Sequence, residues 1–318
     1  MKNLLFIYNP KAGKGKARSQ IADIVEIFDR AGYQITIRPT RRKGDTARQI
    51  YKNGNDFDRI IISGGDGTLN EALAGLRNRA QKGLPLPELG YLPAGSTNDF
   101  AVSLGIPADP VRAARIAVDG TVFSCDCGDF NGVPFAYVAA FGAFTKVSYA
   151  TPQQTKNSLG HVAYVLEGIK SLPQIKGIPV TVQTEDETLT GNFLYGMVSN
   201  SHSVGGLNGF YGKSIVSLDD GLLEVVLVKE PKTLADQSEL MADLLRLNLN
   251  SRHIIFRKVK KISFLCEKEL DWTLDGEYGG SPRLAEISAV PDAYKIVVPH
   301  EEVRLPQSPF AEAMQEFL

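Results

Sequence analysis

The sequence predicts two architectures in succession: an α/β domain built on a parallel sheet, then an antiparallel β domain, a sandwich or similar. Two observations carry this. Up to about residue 121, buried-strand runs alternate with helical periodicity, the pattern of a parallel sheet with helices on its faces. Beyond it, short strand patterns follow one another between turn pairs such as Asn131-Gly132 and Asp220-Gly221, the signature of antiparallel pairing.

The elements follow in order. Leu4–Tyr8 is a short apolar strand, and Asn9–Lys16 after it is rich in Gly and Lys. Ile21, Ile24, Val25, Ile27 and Phe28 recur at helical spacing. Gln34–Arg38 reads as a strand, Thr46–Lys52 as a helix and Arg59–Ile62 as a strand. Leu69–Arg79 is a helix, Leu89–Leu92 a strand and Pro110–Val118 a helix. In the second half, strands are expected at Val122–Asp129, Phe135–Phe144, Val180–Thr184, Thr188–Met197, Gly221–Val228, Lys261–Leu265, Trp272–Leu274, Leu284–Val290 and Ala293–Val298. Helices are expected at Leu159–Leu172, Leu234–Asn248 and Phe310–Leu318. The domains so drawn are 1–124 and 125–298, with the tail 299–318 packing back on the first.

Composition narrows the function. The 318 residues carry 35 Lys and Arg against 36 Asp and Glu, so the chain lacks the strongly basic balance of a nucleic-acid wrapper. Three cysteines, Cys125, Cys127 and Cys266, are too few and too odd for a disulfide framework and fit a reducing compartment. No signal peptide is expected ahead of the first strand. The longest largely apolar stretch, Val133–Phe144, is shorter than the roughly 20 residues a membrane span needs. Any membrane contact is expected to be peripheral.

The chemistry concentrates where strands end and helices begin, which is where ligands bind in such sheets. Neither the P-loop pattern nor the dinucleotide fingerprint is present, since Arg18 stands where the latter needs its third Gly. Asn9-Pro10-Lys11-Ala12-Gly13-Lys14-Gly15-Lys16 follows the first strand instead, and either an anion-binding turn or a plain strand-to-helix turn fits it. Gly64-Gly65-Asp66-Gly67-Thr68 is more specific. Its glycines open the turn so that phosphate oxygens reach backbone amides. An acid beside phosphates needs a cation between, so Asp66 points to Mg²⁺; helix capping is the bland alternative. Pro93-Ala94-Gly95-Ser96-Thr97-Asn98-Asp99-Phe100 repeats the design at the next strand end and adds Asp99 as a second carboxylate.

With these motifs, extended through Leu69-Asn70-Glu71 and Ala101, the chain resembles the diacylglycerol kinase catalytic-domain family. More narrowly it resembles the soluble bacterial members, which are related to sphingosine kinases and more distantly to NAD kinases. The resemblance implies a three-layer, NAD-kinase-like α/β nucleotide domain, a C-terminal antiparallel β-sandwich and an active site in the cleft between them. It implies ATP bound by Asn9, Pro10, Lys11, Ala12, Gly13, Gly64, Gly65, Asp66, Gly67, Thr68, Leu69 and Asn70, with Thr40 and Ser96 adding hydroxyls. Asp126 joins Asp66 and Asp99 in a carboxylate–water–Mg²⁺ network. A structural Mg²⁺ is implied at Asp220, with carbonyls of Ser217 and Leu222; Asp219 is a weaker candidate and an Asp-Gly hairpin turn the plain alternative. The run Leu274-Asp275-Gly276-Glu277 matches the segment that supplies the general base. Asp275 is the expected base and Glu277 its orienting partner, the two acids expected on one strand face as i and i+2. Asp66 is the rival base. Ala12 stands where a Ser is frequent, Arg77–Pro87 reads as a long basic loop, and Lys146 and Lys156 are candidates for a catalytic lysine.

The expected activity is ATP- and Mg²⁺-dependent phosphorylation of diacylglycerol to phosphatidic acid. The expected setting is cytoplasmic, in transient contact with the inner membrane face, without nucleic acid, and as a homodimer. A kinase for a sphingoid base or glycolipid, an NAD kinase, and a non-catalytic nucleotide or lipid sensor are the alternatives.

Overall fold

The computed structural model describes residues 2–15, 19–95, 98–143, 176–204, 207–208, 216–246 and 248–300. Ser96, Thr97, Lys146, Lys156 and the helices expected at Leu159–Leu172 and Phe310–Leu318 lie outside the described residues. The chain divides into two compact units, the first holding residues up to Cys127 and again from Pro291, the second Gly128–Val290.

In the first unit, strands β1 (Lys2–Tyr8), β2 (Tyr33–Pro39), β3 (Arg59–Gly64) and β4 (Glu88–Pro93) form a parallel sheet in the order β4-β3-β1-β2. Helices α1 (Ile21–Arg30), α2 (Asp45–Asn53), α3 (Asp66–Gln81), α4 (Asp99–Ser103) and α5 (Pro110–Asp119) connect and flank them. Each β3 residue is buried, as expected of a strand covered on both faces. Right-handed crossovers place α1 on one face and α2 and α3 on the other, and α1 packs on α5 while α2 packs on α3. The chain turns from β1 towards β2 and from β3 towards β4, on opposite sides, so the topological switch point lies between the ends of β1 and β3.

The expected Arg77–Pro87 loop is shorter than drawn, because α3 runs to Gln81 and only the residues after it are turn and coil. Arg79 is 1% exposed. Its guanidinium donates to the carbonyls of Tyr51 (2.8 Å) and Pro85 (2.8 Å) and to Asn55, tying the end of α3 to the end of α2.

Strand β5 (Thr121–Phe130) leads out of the first unit. The second unit is antiparallel: β6 (Val133–Phe135), β7 (Val138–Gly142), β8 (Ile178–Thr184), β9 (Thr188–Ser199), β10 (Ser203–Val204), β11 (Leu207–Asn208), β12 (Leu223–Lys229), β13 (Ile254–Val259), β14 (Lys261–Leu265), β15 (Trp272–Leu274), β16 (Glu277–Gly280) and β17 (Leu284–Val298), which returns to the first unit, with helix α6 (Leu234–Leu245) between β12 and β13. The long β9 pairs with β8 through its first half and with β7 and β12 through its second. One core is shared by these strands. Trp272 sits at its centre, its ring 5.1, 4.9 and 5.0 Å from those of Phe130, Phe141 and Phe264.

Three strand expectations change. Phe135–Phe144 is interrupted, because the amides of Ala136 and Tyr137 turn to a carboxylate, described below. Leu284–Val290 and Ala293–Val298 are one strand, through Asp292 in a left-handed conformation (φ 49°). The strand expected from Gly221 begins at Leu223, since Asp220 holds the Leu222 amide.

Candidate active site

In the first unit three loops meet at the switch point. After β1, the Asn9 amide donates to the Ser63 carbonyl (2.8 Å) and its Oδ1 accepts from the Lys11 amide (2.9 Å). This bends the chain off the sheet. Gly13 follows at φ +58°, and a Cβ there would lie 2.5 Å from the Ala94 carbonyl oxygen. After β3, a Cβ on Gly64 would lie 2.1 Å from Thr68 Oγ1. After β4, a Cβ on Gly95 would lie 2.7 Å from the Gly65 Cα. At Gly13 and Gly95 the loops are therefore packed against one another's backbone, and at Gly64 against the Thr68 side chain, and glycine is the residue that fits.

The acids are placed by helix starts. Asp66 opens α3 and Asp99 opens α4, where the helix N-terminus favours negative charge. The Asn98 amide donates to Asp66 Oδ2 (3.1 Å), which ties the third loop to the second. Asn98 itself is left-handed (φ 55°). Its Oδ1 accepts from the Gly95 amide (2.7 Å) and its Nδ2 donates to the Gly95 carbonyl (3.1 Å). Below lies Tyr91, whose hydroxyl donates to the Gly64 carbonyl (3.3 Å). Burial pushes its phenol well above the usual range, and the charges of Asp66 and Asp99 push it further.

The other predicted residues of this unit are placed as follows. Thr40 continues from β2 and its amide donates to the Tyr8 carbonyl (2.9 Å), beside the end of β1. Asn70 is one turn along α3 from Asp66, half-buried. Asp126 is 2% exposed on β5, and its Oδ1 accepts from the Asp292 amide (2.9 Å). Glu71 has a structural role, since its carboxylate accepts from the amides of Gly44 (2.7 Å) and Thr46 (3.1 Å) and so closes the start of α2. Motif reading does not reveal the roles of Tyr91 and Asn98.

In the second unit the expected acid pair is rearranged. Asp275 and Gly276 both have positive φ (49° and 81°) and form the two-residue turn between β15 and β16, as Asp-Gly does in tight hairpins. They are therefore not strand residues, and the expected i, i+2 alternation on one face does not apply. The Asp275 carboxylate, 6% exposed, accepts from the amides of Ala136 (2.6 Å), Tyr137 (3.0 Å) and Val138 (3.0 Å). Glu277, at the exit of the turn, is exposed.

The loop predicted to bind a structural metal holds its own bonds. Ser217 Oγ donates to Asp219 (2.6 Å). Asp220 Oδ1 accepts from the Leu222 amide (3.0 Å) and Oδ2 from the Lys258 ammonium (2.8 Å). Lys258 also lies 3.5 Å from the buried Glu224. Burial pushes the Glu224 carboxyl up to about 8, against the opposing pull of Lys258.

Comparison with known proteins places this arrangement. Residues 3–130 match the diacylglycerol kinase catalytic domain. A diacylglycerol kinase of Bacillus subtilis (strain 168) is 33% identical over 88% of this chain and 91% of its own length. The chain belongs to the diacylglycerol kinase family. A diacylglycerol kinase of Staphylococcus haemolyticus is 30% identical over 98% of this chain and 90% of its own length. The crystal structure of a diacylglycerol kinase from Bacillus anthracis superposes with a TM-score of 0.73 at 24% identity, covering 93% of this chain and 97% of that one, so the fold is shared. Membership makes the chain an enzyme of the lipid kinase class. Among the described residues no helix is long and apolar enough to cross a membrane.

Proposed function

We propose that the protein transfers the γ-phosphoryl group of ATP to the hydroxyl of diacylglycerol, giving phosphatidic acid. The observation that carries this is the meeting of the three glycine loops at the switch point, with Asp66 and Asp99 opening the helices that follow the second and third of them. Backbone amides of such loops suit phosphate oxygens. Two carboxylates beside them suit Mg²⁺, a hard cation that takes oxygen ligands. Asp66 and Asp99 would hold it, with Asp126 as the further acid. When bound it neutralises charge developing on the phosphoryl oxygens.

For the base, Glu277 is favoured over Asp275. Both Asp275 oxygens accept from backbone amides, which supports a role for it in holding the turn in place. Glu277, exposed and next in the chain but one, takes the hydroxyl proton. In the step, the lipid oxygen bonds to the γ-phosphorus and the bond to the bridging β–γ oxygen breaks. ADP leaves, and the proton passes to the Glu277 carboxylate. Diacylglycerol resides in membranes, so the enzyme works at a membrane surface.

The test is phosphate transfer from labelled ATP with Mg²⁺ to diacylglycerol, sphingosine and NAD in separate reactions, the lipids in anionic mixed micelles. Phosphatidic acid formed by the wild type and lost in Glu277→Gln supports the proposal. Product from another acceptor keeps the mechanism and replaces the substrate. ATP binding with no transfer to any acceptor overturns it in favour of a sensor.

A further inference from the structure

The loop Ser217–Leu222 is where resemblance implies a structural Mg²⁺, and the residues present do not fit one. Both oxygens of Asp220 are taken, one by the Leu222 amide and the other by the Lys258 ammonium at 2.8 Å. Mg²⁺ demands near-ideal octahedral geometry with oxygens at about 2.1 Å, and an ion so placed on Oδ2 would stand within about 5 Å of that ammonium. In a partly buried site their repulsion is poorly screened.

The lysine is held there by the fold. Lys258 on β13 lies directly opposite Glu224 on β12 in the strand register, so the two side chains share a face. Glu224 is 0% exposed, and its carboxylate oxygens have no hydrogen-bond partner; the Lys258 ammonium lies 3.5 Å from Oε1. A buried carboxylate is costly unless a positive charge stands near it. The same ammonium answers Asp220 on the other side. Asp219, the weaker ligand candidate, is turned to Ser217.

We infer that the Lys258 ammonium, clamped between Asp220 and Glu224, is the resident cation of this loop and excludes a divalent ion from it. The inference does not depend on the proposed reaction, and its test uses no nucleotide and no lipid. Mn²⁺ binding to the full chain is followed by electron paramagnetic resonance, and melting temperature is measured in MgCl₂ and in EDTA. Wild type and Asp220→Asn are compared, together with Lys258→Met and the Lys258→Met/Asp220→Asn double variant.

Any Mn²⁺ held by the acids of the first unit is common to all four proteins and cancels. The expected result is equal Mn²⁺ stoichiometry, and an equal effect of MgCl₂ on melting, in wild type and Asp220→Asn. Lys258→Met is expected to melt lower than wild type in EDTA and to gain one Mn²⁺ that the double variant lacks. A bound Mn²⁺, or a Mg²⁺-dependent rise in melting temperature, present in wild type and absent in Asp220→Asn overturns the inference. So does a folded Lys258→Met that gains no ion. If Lys258→Met does not fold, the wild type and Asp220→Asn pair decides alone.

Discussion

The first unit and the second place their acids by opposite means. In the first, Asp66 and Asp99 are set locally: each opens a helix after a glycine turn, and those glycines are demanded by contacts within and between the motifs themselves. In the second, Asp275 is set by amides 137 to 139 positions earlier in the chain. The difference teaches that a motif whose partners are other motifs announces its role, whereas an acid whose partners are remote backbone does not. Asp275 and Glu277 look alike as letters, yet one is buried under three amides and the other is exposed.

The comparison breaks most visibly if the first unit's acids are dispensable. Asp66→Asn and Asp99→Asn are each expected to lower phosphoryl transfer by about 10³-fold, the scale of losing one preorganised electrostatic element. Labelled-phosphate transfer measures it. Retention of near-wild-type turnover by either variant would show that helix capping was their whole role.

The next largest effect separates the two acids of the second unit. Glu277→Gln is expected to slow transfer by about 10²- to 10⁴-fold with the melting temperature unchanged, since a base contributes that much and the residue is exposed. Asp275→Asn is expected to destabilise by about 2–4 kcal/mol, because its amide group must face a backbone N–H in a buried site. Denaturant unfolding gives the second number and initial rates the first. A stable Asp275→Asn protein that is as inactive as Glu277→Gln would return the base to Asp275.

A smaller effect contrasts glycines. Gly95→Ala forces a Cβ to 2.7 Å from both Gly65 Cα and Asn98 Oδ1, so backbone must shift; a loss of about 1–3 kcal/mol is expected, with weaker ATP binding. Gly276→Ala meets nothing within 4 Å but keeps a φ of +81°. Its cost is conformational alone, about 1 kcal/mol, with ATP binding intact. Equal losses of ATP affinity in the two would mean that the hairpin, too, belongs to the nucleotide site. Calorimetric titration with ATP distinguishes them.

How much of this was legible follows the same division. The strands ending at Tyr8, Gly64 and Pro93 and the glycine-rich turns after them were legible, since apolar runs and glycines speak locally. The strand Ile254–Val259 could not, because Arg257 and Lys258 interrupt its apolar run and their reason, Glu187 for one and Asp220 with Glu224 for the other, lies on other strands and loops. The break at Ala136 and Tyr137 was invisible for the same reason: their amides serve Asp275. Glu71 shows the reverse case. It belongs to the family's motif by sequence, and its carboxylate closes the start of α2.

The smallest expected effect is one on which the two units should agree. Asp45 in the first and Glu230 in the second are both carboxylates held below their usual range by a backbone amide, that of Arg41 (2.7 Å) and of Gly177 (2.8 Å) respectively. In each, the folded protein releases its proton at lower pH than the unfolded chain does. The stabilisation is therefore complete above the unfolded values of 3.8 and 4.5 and disappears as pH falls through the folded ones. Asp45→Asn and Glu230→Gln should each lower the melting temperature slightly at pH 7 and have no effect near pH 2, so the gap to wild type closes on acidification. Melting curves from pH 7 to pH 2 measure it. A gap that closes for Asp45 and persists for Glu230 would mean that the second unit's acid acts through packing, and the contrast between the units would then extend to these loop acids as well as to Asp66, Asp99 and Asp275.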